Sequence, residues 1–469
     1  VGQIGTNIGV VRDALQKSLQ QDFNYECEVI KMSSLIKHQL EMIDENFENE
    51  IDRIHKCING GNELRKDHGA AILSQLAVKK IAKSRTREAK KEDIENQSFK
   101  SRRKCYIIDS IKHPAELELL KIIYRDLLYT IGIFSPYDLR VNNLKRREIE
   151  PVAIHELIDI DSGEDKSFGQ KVEAAFVNSD YFLNIESEEK DKIKPKVNRF
   201  LNLVFDNNIV TPSIAESAMF KANAAAMNSA CLSRQVGAAI TDKDGNILSL
   251  GWNDVPKAGG DLYSDPNEDD IRCYNKGFCS NDHKKGKVAD NIISDLFNAG
   301  IINQEKVDET KSIINRNGVK GLIEFSRSIH AEMHAIIKGA QRSGDKMVEG
   351  KLFCTTYPCH NCARHIILAG IKEVYYIEPY KKSLSIELHS DAICEGEGIG
   401  KDNRKVQIKM FEGVAPNRYI HFFKMRDNRK EKVTGENEDL SYPKQTLTLR
   451  ALHELESIIV RDLEGLSEE

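Results

Sequence analysis

Hydrophobic and polar residues alternate with helical and strand-like periods along the chain, and this pattern predicts a series of helices and strands. In the first 207 residues, Val11, Leu15 and Leu19 recur on one helix face. Further helices are predicted over 34–58, 69–97, 117–129 and 193–205, and strands over 105–109, 130–134 and, as a last edge strand, 177–185. Strands that alternate with helices imply a mostly parallel sheet covered on both faces.

The second part of the chain begins after a polar linker, 207–213, which contains Pro212. An alanine-rich helix is predicted over 214–227, and a hairpin with an Asp244-Gly245 turn follows it. The remaining predictions are helices from His330 to 340, over 359–368 and over 446–463, and strands over 236–241, 247–251, 373–377, 406–411 and 419–423. Because 469 residues are too many for one core, we predict three parts: 1–207, 212–425 and a C-terminal extension over 426–469.

Composition narrows the class of protein. With 40% hydrophobic and 30% charged residues the chain is typical of a soluble globular protein, and a net charge of −5 argues against binding nucleic acid over its whole surface. The sequence has no apolar run of about 18 residues, so we expect no membrane span, and we see no signal peptide. Ten scattered cysteines indicate reduced thiols and metal ligands, as in a cytoplasmic protein.

The clearest chemical signal comes from four residues in two short motifs. Glu332 follows His330 by two residues, and Cys359 and Cys362 stand behind a proline. One nitrogen and two sulfurs are good zinc ligands and leave the fourth tetrahedral position open, as a catalytic zinc requires. A zinc ion activates water near neutral pH, and Glu332 could carry protons for that water. A Cys-x-x-Cys pair alone also occurs in structural zinc and redox sites, but the H-A-E motif favours catalysis.

Four motifs in this order, SRQVGAAITD, GWNDVP, HAE and PCHNC, resemble the deoxycytidylate deaminase branch of the cytidine deaminase fold over roughly residues 212–425. The resemblance implies an α/β chain whose C-terminal domain is a three-layer α/β/α structure. It implies that His330, Cys359 and Cys362 bind Zn²⁺ and that Glu332 moves protons while water replaces the amino group at C4 of cytosine. The substrate would be a free deoxycytidine nucleotide, dCTP or dCMP, which becomes dUTP or dUMP with release of ammonia.

The chain as a whole resembles the bacterial antiphage deoxycytidine-nucleotide deaminases, through a P-loop kinase-like N-terminal domain and the stretches EPYKKSLSIELHSDAI and GVAPNRY. This resemblance implies depletion of deoxycytidine nucleotides during infection, a homo-oligomer such as a hexamer, and restraint by an inhibitory RNA. Two other classes stay open: a deaminase of bases in RNA or DNA, and a nucleotide-sensing regulatory protein. The first needs a basic channel rich in aromatic residues, whereas aromatic residues make up 7% of this chain.

Substrate contacts are predicted just before the first strand of the second part and just after its partner strand. Asn253 matches the asparagine of the G-Y-N pattern in the resembling family, with Trp252 in place of tyrosine, and is expected to bind the sugar or phosphate. Arg234 and Gln235 are candidate phosphate contacts. The alternative for Arg234 is an ordinary surface charge.

A second zinc site is predicted in the long insertion over 256–327, which we interpret as a lid because loops of this length are usually functional or disordered. His334 lies four residues after His330, so both imidazoles would lie on one helix face. The candidate ligands are Cys273, Cys279, His283 and His334. The alternative is free cysteines in a mobile loop.

A glycine turn opens the first helix and is a candidate phosphate site, because backbone N–H groups and the helix dipole face such a turn. The candidate residues are Gly2, Gly5, Thr6 and Asn7, with Asp109 at the end of a strand in a Walker-B-like position. The lysine of a P-loop is absent. Kinase activity is therefore not expected, and the alternative is a tight turn without a ligand.

Overall fold

The computed structural model describes residues 1–42, 47–88, 103–163, 168–186, 190–206, 208–264, 270–316, 319, 322, 325–380, 383–396, 404–425 and 449–463. They form two compact units, one of Val1–Pro212 with Glu412–Glu469 and one of Ser213–Phe411. This grouping differs from the predicted domains, because residues 412–425 fold with the first unit. No helix in the described ranges is long and apolar enough to cross a membrane.

The first unit consists of helices around two small sheets. Its helices up to Pro212 are α1 (Ile8–Gln21), α2 (Met32–Gln39), α3 (Glu50–His68), α4 (Ile72–Glu88), α5 (Pro114–Tyr124), α6 (Tyr137–Lys145), α7 (Pro151–Ser162), α8 (Val172–Phe176) and α9 (Lys190–Phe205). Its strands there are β1 (Glu26–Lys31), β2 (Lys104–Asp109), β3 (Ile131–Phe134) and β4 (Tyr181–Asn184). The helix predicted over 34–58 is therefore two helices, and residues 89–97 of the helix predicted over 69–97 lie outside the described ranges.

The sheets of this unit correct the prediction of one mostly parallel sheet. Strand β1, which the sequence analysis missed, pairs in parallel with β2, while β3 and β4 form a separate parallel pair. Strand β4 is not an edge strand, because a short strand from the C-terminal part of the chain pairs with its other side. Burial of Tyr181, Phe182 and Leu183 to 2% exposure or less agrees with this central position.

The second unit is built on one six-stranded sheet. Its strands are β5 (Gly237–Thr241), β6 (Ile247–Trp252), β7 (Lys351–Thr356), β8 (Glu373–Glu378), β9 (Ile393–Glu395) and β10 (Val406–Met410), in the order β6-β5-β7-β8-β10-β9. Strand β5 is antiparallel to β6 and β7, and the pairs from β7 onwards are parallel. The sequence analysis missed the central strand β7, whose run LFCTT is short and lacks alternation.

Helices cover both faces of this sheet and produce three layers. The helices of this unit are α10 (Ile214–Ala226), α11 (Cys273–Lys276), α12 (Ser280–Asn298), α13 (Val307–Arg316), α14 (Ala331–Ser343), α15 (His360–Leu368) and α16 (Ser385–Leu388), and α10 and α14 pack on opposite faces of the sheet. A methyl group on Gly237 would meet Ala222 O of α10 at 1.8 Å, and one on Gly251 would meet Ala331 O of α14 at 2.3 Å. Gly251 pairs with Ala238, the residue after Gly237, so these two approaches are on opposite faces.

The C-terminal part returns to the first unit. Strand β11 (Gly413–Val414) pairs antiparallel with β4, and helices α17 (Tyr419–Phe423) and α18 (Leu449–Asp462) follow. The strand predicted over 419–423 is therefore a helix. Its rings at Tyr419 and Phe423 are four residues apart and in contact, with centroids 4.9 Å apart, as on one helix face. Residues 426–448, including the predicted start of the last helix, lie outside the described residues.

Candidate zinc and nucleotide site

Two helix N-termini bring together three metal-binding side chains. His330 is the residue that caps α14, and Cys359 caps α15, with Cys362 in the first turn of α15. Both cysteine Sγ atoms lie 3.3 Å from His330 Nδ1. The possible ligand atoms of these three residues all lie within 4.8 Å of one another. Among the described residues, no other group of three or more His, Cys, Asp or Glu side chains is this close.

The electrostatics of this cluster favour a thiolate. Hydrogen bonds from Cys362 and His330 lower the pKa of Cys359 to about 4, and the hydrogen bond with Cys359 raises the pKa of His330 to about 9. Burial raises the pKa of Cys362. The positive ends of two helix dipoles also favour negative charge here. Because zinc takes a nitrogen and two sulfurs readily and tetrahedrally, this buried donor set fits Zn²⁺ with one position left for a ligand.

Glu332 lies beside the metal-binding cluster in the first turn of α14 and is 4% exposed. Burial raises the pKa of its carboxyl group, which brings that group closer to exchanging a proton near neutral pH. Glu332, His330 and Cys359 line one cavity of about 270 Å³. The structure thus brings the four residues of the two short motifs to one site.

Every residue that lines the cavity belongs to the second unit. They come from the segments after α10, β6 and β8, from the insertion, from the start of α14 and from the end of β7 up to α15. The residues are Ala230, Cys231, Leu232, Ser233, Arg234, Val236, Asn253, Asp254, Val255, Cys273, Cys279, Asn281, Ser326, Arg327, Ser328, His330, Ala331, Glu332, Thr356, Tyr357, Cys359 and Tyr380. The sequence analysis missed Arg327, although its place three residues before His330 puts a cation next to the metal-binding motif.

The structure gives the three predicted substrate contacts different surroundings. Asn253 lines the cavity, but its Oδ1 accepts a hydrogen bond from Val236 N at 2.7 Å and its Nδ2 donates to Arg234 O at 2.9 Å. Its amide therefore fixes the backbone that carries Arg234. The Arg234 side chain lines the cavity, pairs with Glu378 at 3.1 Å and is half exposed. Gln235 donates to Ser229 O at 2.8 Å, outside the cavity lining in the described ranges.

The four residues of the predicted second zinc site do not converge. Across the described part of the chain, which includes all four, no metal-binding group contains them. His334 Nε2 lies 2.9 Å from Asp261 Oδ1, and its Nδ1 lies 3.2 Å from the backbone of Trp252. Both nitrogens of His334 thus hold the loop after β6 to α14. Cys273 and Cys279 line the main cavity, and His283 packs on Phe278.

The predicted phosphate turn lies at the start of α1, and the chain itself occupies several of its groups. Ile4 N donates to Asp161 Oδ2 at 2.7 Å, Gly5 O accepts from Asn143 at 3.0 Å, and Arg140 donates to Ile4 O at 2.8 Å. Gly5 has a φ of 81°, and a methyl group there would meet Arg140 O at 2.7 Å.

The other residues that were predicted to bind phosphate at this turn lie in different surroundings. Gly2 bridges to Ile133 of β3, and Asn7 caps α1. Asp109 at the end of β2 accepts a hydrogen bond from Arg12 of α1 at 3.1 Å. Thr6 is 6% exposed, and its Oγ1 has no partner in the described structure. The sequence analysis missed the partners Asp161, Asn143 and Arg140 because they are distant along the chain.

Known proteins are similar to the second unit. Residues 212–378 match the family described as cytidine and deoxycytidylate deaminase zinc-binding region. The ComE operon protein 2 of Bacillus subtilis is 39% identical over 91 residues, which are 19% of this chain and 48% of that protein, so the chain spans about half of that relative. The deoxycytidylate deaminase of Enterobacteria phage T2 is 29% identical over 163 residues, which are 33% of this chain and 74% of that enzyme.

A solved dCMP deaminase of cyanophage S-TIM5, in complex with dCMP and dUMP, is 21% identical, with 43% of this chain and 99% of that chain covered and a TM-score of 0.25. The family match starts at residue 212, next to the division between the two units, and it contains His330, Glu332, Cys359 and Cys362. Residues 212–378 are therefore similar to the cytidine and deoxycytidylate deaminase zinc-binding region, and this similarity includes the residues that converge at the site.

Proposed function

We propose that this protein deaminates free deoxycytidine nucleotides, dCTP, dCMP or both, to deoxyuridine nucleotides and ammonia. The observation that carries the proposal is one cavity lined both by His330, Cys359 and the buried Glu332 and by two arginines, Arg234 and Arg327. A base fits beside the metal-binding residues, and phosphate groups suit the arginines, because a guanidinium matches phosphate geometry. The deoxycytidylate deaminases of phages T2 and T4 are similar to this chain over 163 residues each.

His330, Cys359 and Cys362 would hold Zn²⁺. When bound, zinc would supply Lewis-acid activation of a water molecule at neutral pH. Glu332 removes a proton from the attacking water and delivers it to N3 of cytosine. Glu332 then takes the proton of the new hydroxyl group at C4 and gives it to the leaving amino group, so that cytosine and water become uracil and ammonia. The raised pKa of Glu332 suits this double role, since the carboxyl group must both accept and release a proton.

Ammonia release from purified protein tests this proposal. The substrates are dCMP, dCTP, CTP, deoxycytidine and a cytosine-containing single-stranded oligonucleotide. We expect turnover of the deoxycytidine nucleotides, and we expect Glu332→Gln to reduce it by about 10³-fold while bound zinc stays unchanged. Turnover on the oligonucleotide alone would overturn the proposal in favour of a base deaminase acting on nucleic acid.

We further propose that the first unit is kinase-like in fold without phosphoryl-transfer activity, and that the cytoplasmic protein is a homo-oligomer, restrained by an RNA, that depletes deoxycytidine nucleotides against phage. The support is the resemblance of the whole chain, with a glycine turn before α1 and a deaminase-type domain behind it. Phage infection of bacteria that express the protein is the test. We expect a fall of the dCTP pool and of plaque number, and neither with Glu332→Gln. Equal protection by both proteins would contradict a role of deamination.

A further inference from the structure

An ionic cluster is buried beside the candidate nucleotide cavity. The side chains of Asp254, Asp270 and Arg272 are 1%, 0% and 4% exposed. Arg272 Nη2 lies 2.7 Å from Asp270 Oδ2, and its Nη1 lies 3.1 Å from Asp254 Oδ2. Tyr274 donates its hydroxyl to Asp270 Oδ2 at 2.8 Å. Arg272 thus uses its planar fork on two carboxylates at once, which a lysine could not reproduce.

The cluster joins segments that form the cavity wall. Asp254 Oδ2 accepts a hydrogen bond from Ala230 N at 3.0 Å, and Asp254 O accepts one from Ile329 N at 3.0 Å. Ala230 and Asp254 line the cavity, and Ile329 precedes the metal-binding His330. Asp254 thus connects the cluster to the segments that carry Ala230 and Ile329.

One contact leads from the cluster to the cavity itself. Arg327 Nη1 donates a hydrogen bond to Ile271 O at 2.6 Å, and Ile271 stands between Asp270 and Arg272 in the chain. Arg327 lines the cavity. Its guanidinium has further N–H donors that can face an anionic ligand. The position of this cation is therefore tied to a carbonyl group whose two neighbours are both fixed in the buried cluster.

We propose that Arg272 is a positioning residue for the phosphate part of the nucleotide, and that it acts through Ile271 and Arg327 without touching the ligand. This inference rests on the proposed deamination of deoxycytidine nucleotides. It assigns a binding role to the start of the insertion, whereas the chemical step stays with the residues on α14 and α15. Loss of the Arg272 geometry should weaken binding of a phosphorylated substrate and leave the nucleoside unaffected.

Steady-state kinetics of Arg272→Lys with dCMP and deoxycytidine test the proposal. We expect KM for dCMP to rise about 10-fold, because a charge-assisted contact to phosphate is misplaced. We expect kcat, bound zinc and KM for deoxycytidine to change less than about twofold. Arg65→Lys is the matched control, since Arg65 and Glu116 form an equally buried pair in the first unit, with side chains 1% and 0% exposed. This control should lower the melting temperature and leave both KM values unchanged.

A double-mutant cycle tests the route through Arg327. Arg327→Ala alone should raise KM for dCMP, and Arg272→Lys added to it should have no further effect, because both changes remove the same contact. Additive effects, or an equal rise of KM for dCMP and deoxycytidine, would overturn the positioning role. If Arg272→Lys does not fold, Tyr274→Phe removes one hydrogen bond to Asp270 and should raise KM for dCMP about threefold. An unchanged KM in that variant would also reject the proposal.

The failure of this inference is distinguishable from failure of the proposed function. A wild-type protein that turns over no deoxycytidine nucleotide would overturn both. An active wild-type protein with unchanged KM for dCMP in Arg272→Lys would overturn the inference alone.

Discussion

Two sites at helix N-termini carry motifs that predict a ligand, one at α14 and α15 and one at α1, and the surroundings of their polar groups differ. At the start of α14 and α15, His330, Cys359 and Cys362 converge on a cavity, with the ligand atoms within 4.8 Å of one another. At the start of α1, the backbone of Ile4 already donates to Asp161, and the carbonyl of Gly5 already accepts from Asn143.

The two sites differ in which groups are the partners of their polar atoms. A buried donor or acceptor needs a partner. Around α1, distant parts of the same chain supply partners for the backbone of Ile4 and Gly5, whereas Thr6 Oγ1 has no partner in the described structure. Around α14 and α15 the imidazole and the two thiols contact one another, and together they form a donor set that suits a metal ion. A motif at a helix N-terminus thus indicates a ligand only where the rest of the chain leaves its groups available.

The largest expected effect tests the metal side of this comparison. Cys362→Ser should remove bound zinc and reduce deamination by about 10³-fold or more, because it removes one of three ligands of a metal that activates water. Cys394→Ser, a half-buried cysteine of β9 in the same unit, is the control and should keep both. Metal analysis and ammonia release measure the effect. Full activity of zinc-free Cys362→Ser would break the comparison.

A smaller effect is expected at the turn before α1. Asp161 is 1% exposed, accepts from Ile4 N and pairs with Lys112 at 2.6 Å. Asp161→Asn should lower the free energy of unfolding by about 3 kcal/mol, because it breaks a mostly buried ion pair. Denaturant titration measures this loss. Deamination kinetics should not change. Unchanged stability combined with altered ATP binding would instead make this turn a ligand site.

The predicted second zinc site gives a third test. Because Cys273 and Cys279 line the cavity outside any converging metal-binding group of the described structure, Cys273→Ser and Cys279→Ser should leave zinc at one ion per chain. KM for dCMP should change less than about threefold, since each substitution alters one atom of the wall. Two zinc ions in the wild type, with one lost in either variant, would restore the second site.

The last test concerns Glu373, a carboxylate whose pKa is lowered, whereas the pKa of Glu332 is raised. Burial alone would raise the pKa of Glu373, but hydrogen bonds from Lys351 and Lys409, both 2.7 Å long, outweigh it and lower the pKa from 4.5 to about 2. A lowered folded-state pKa stabilises the protein above pH 4.5, and this contribution disappears as the pH falls towards 2.

Glu373→Gln should therefore cost about 1 kcal/mol of unfolding free energy at pH 7, a figure reduced for partial exposure. The cost should shrink as the pH approaches 2. Urea titrations of Glu373→Gln and the wild type at pH 7 and pH 3 measure this cost. Glu349→Gln is the control, because Glu349 belongs to a more exposed ion pair. A cost that grows on acidification would contradict the direction of this shift.

The sequence predicted the site better than the fold of the first unit. The H-A-E and P-C-x-x-C motifs, with the family resemblance that they carry, predicted that His330, Cys359 and Cys362 would share one site, and their ligand atoms lie within 4.8 Å of one another. The sequence also predicted α10, β5 and β6 within one or two residues. It missed β1 and β7 and took 419–423 for a strand, because short apolar runs do not reveal their partners. Nor could it foresee Asp261 beside His334, 73 residues away in the chain.

Gly251 of β6 lies against the start of α14, the helix that carries Glu332. A methyl group there would meet Ala331 O at 2.3 Å and Ala335 N at 2.5 Å, and Ala331 is the residue between His330 and Glu332. Any side chain at position 251 would push the backbone at Ala331, between His330 and Glu332, away from β6. A mutational scan that measures only turnover would therefore place Gly251 among the reactive residues. Its contribution is that it has no Cβ atom and so lets α14 lie close to β6.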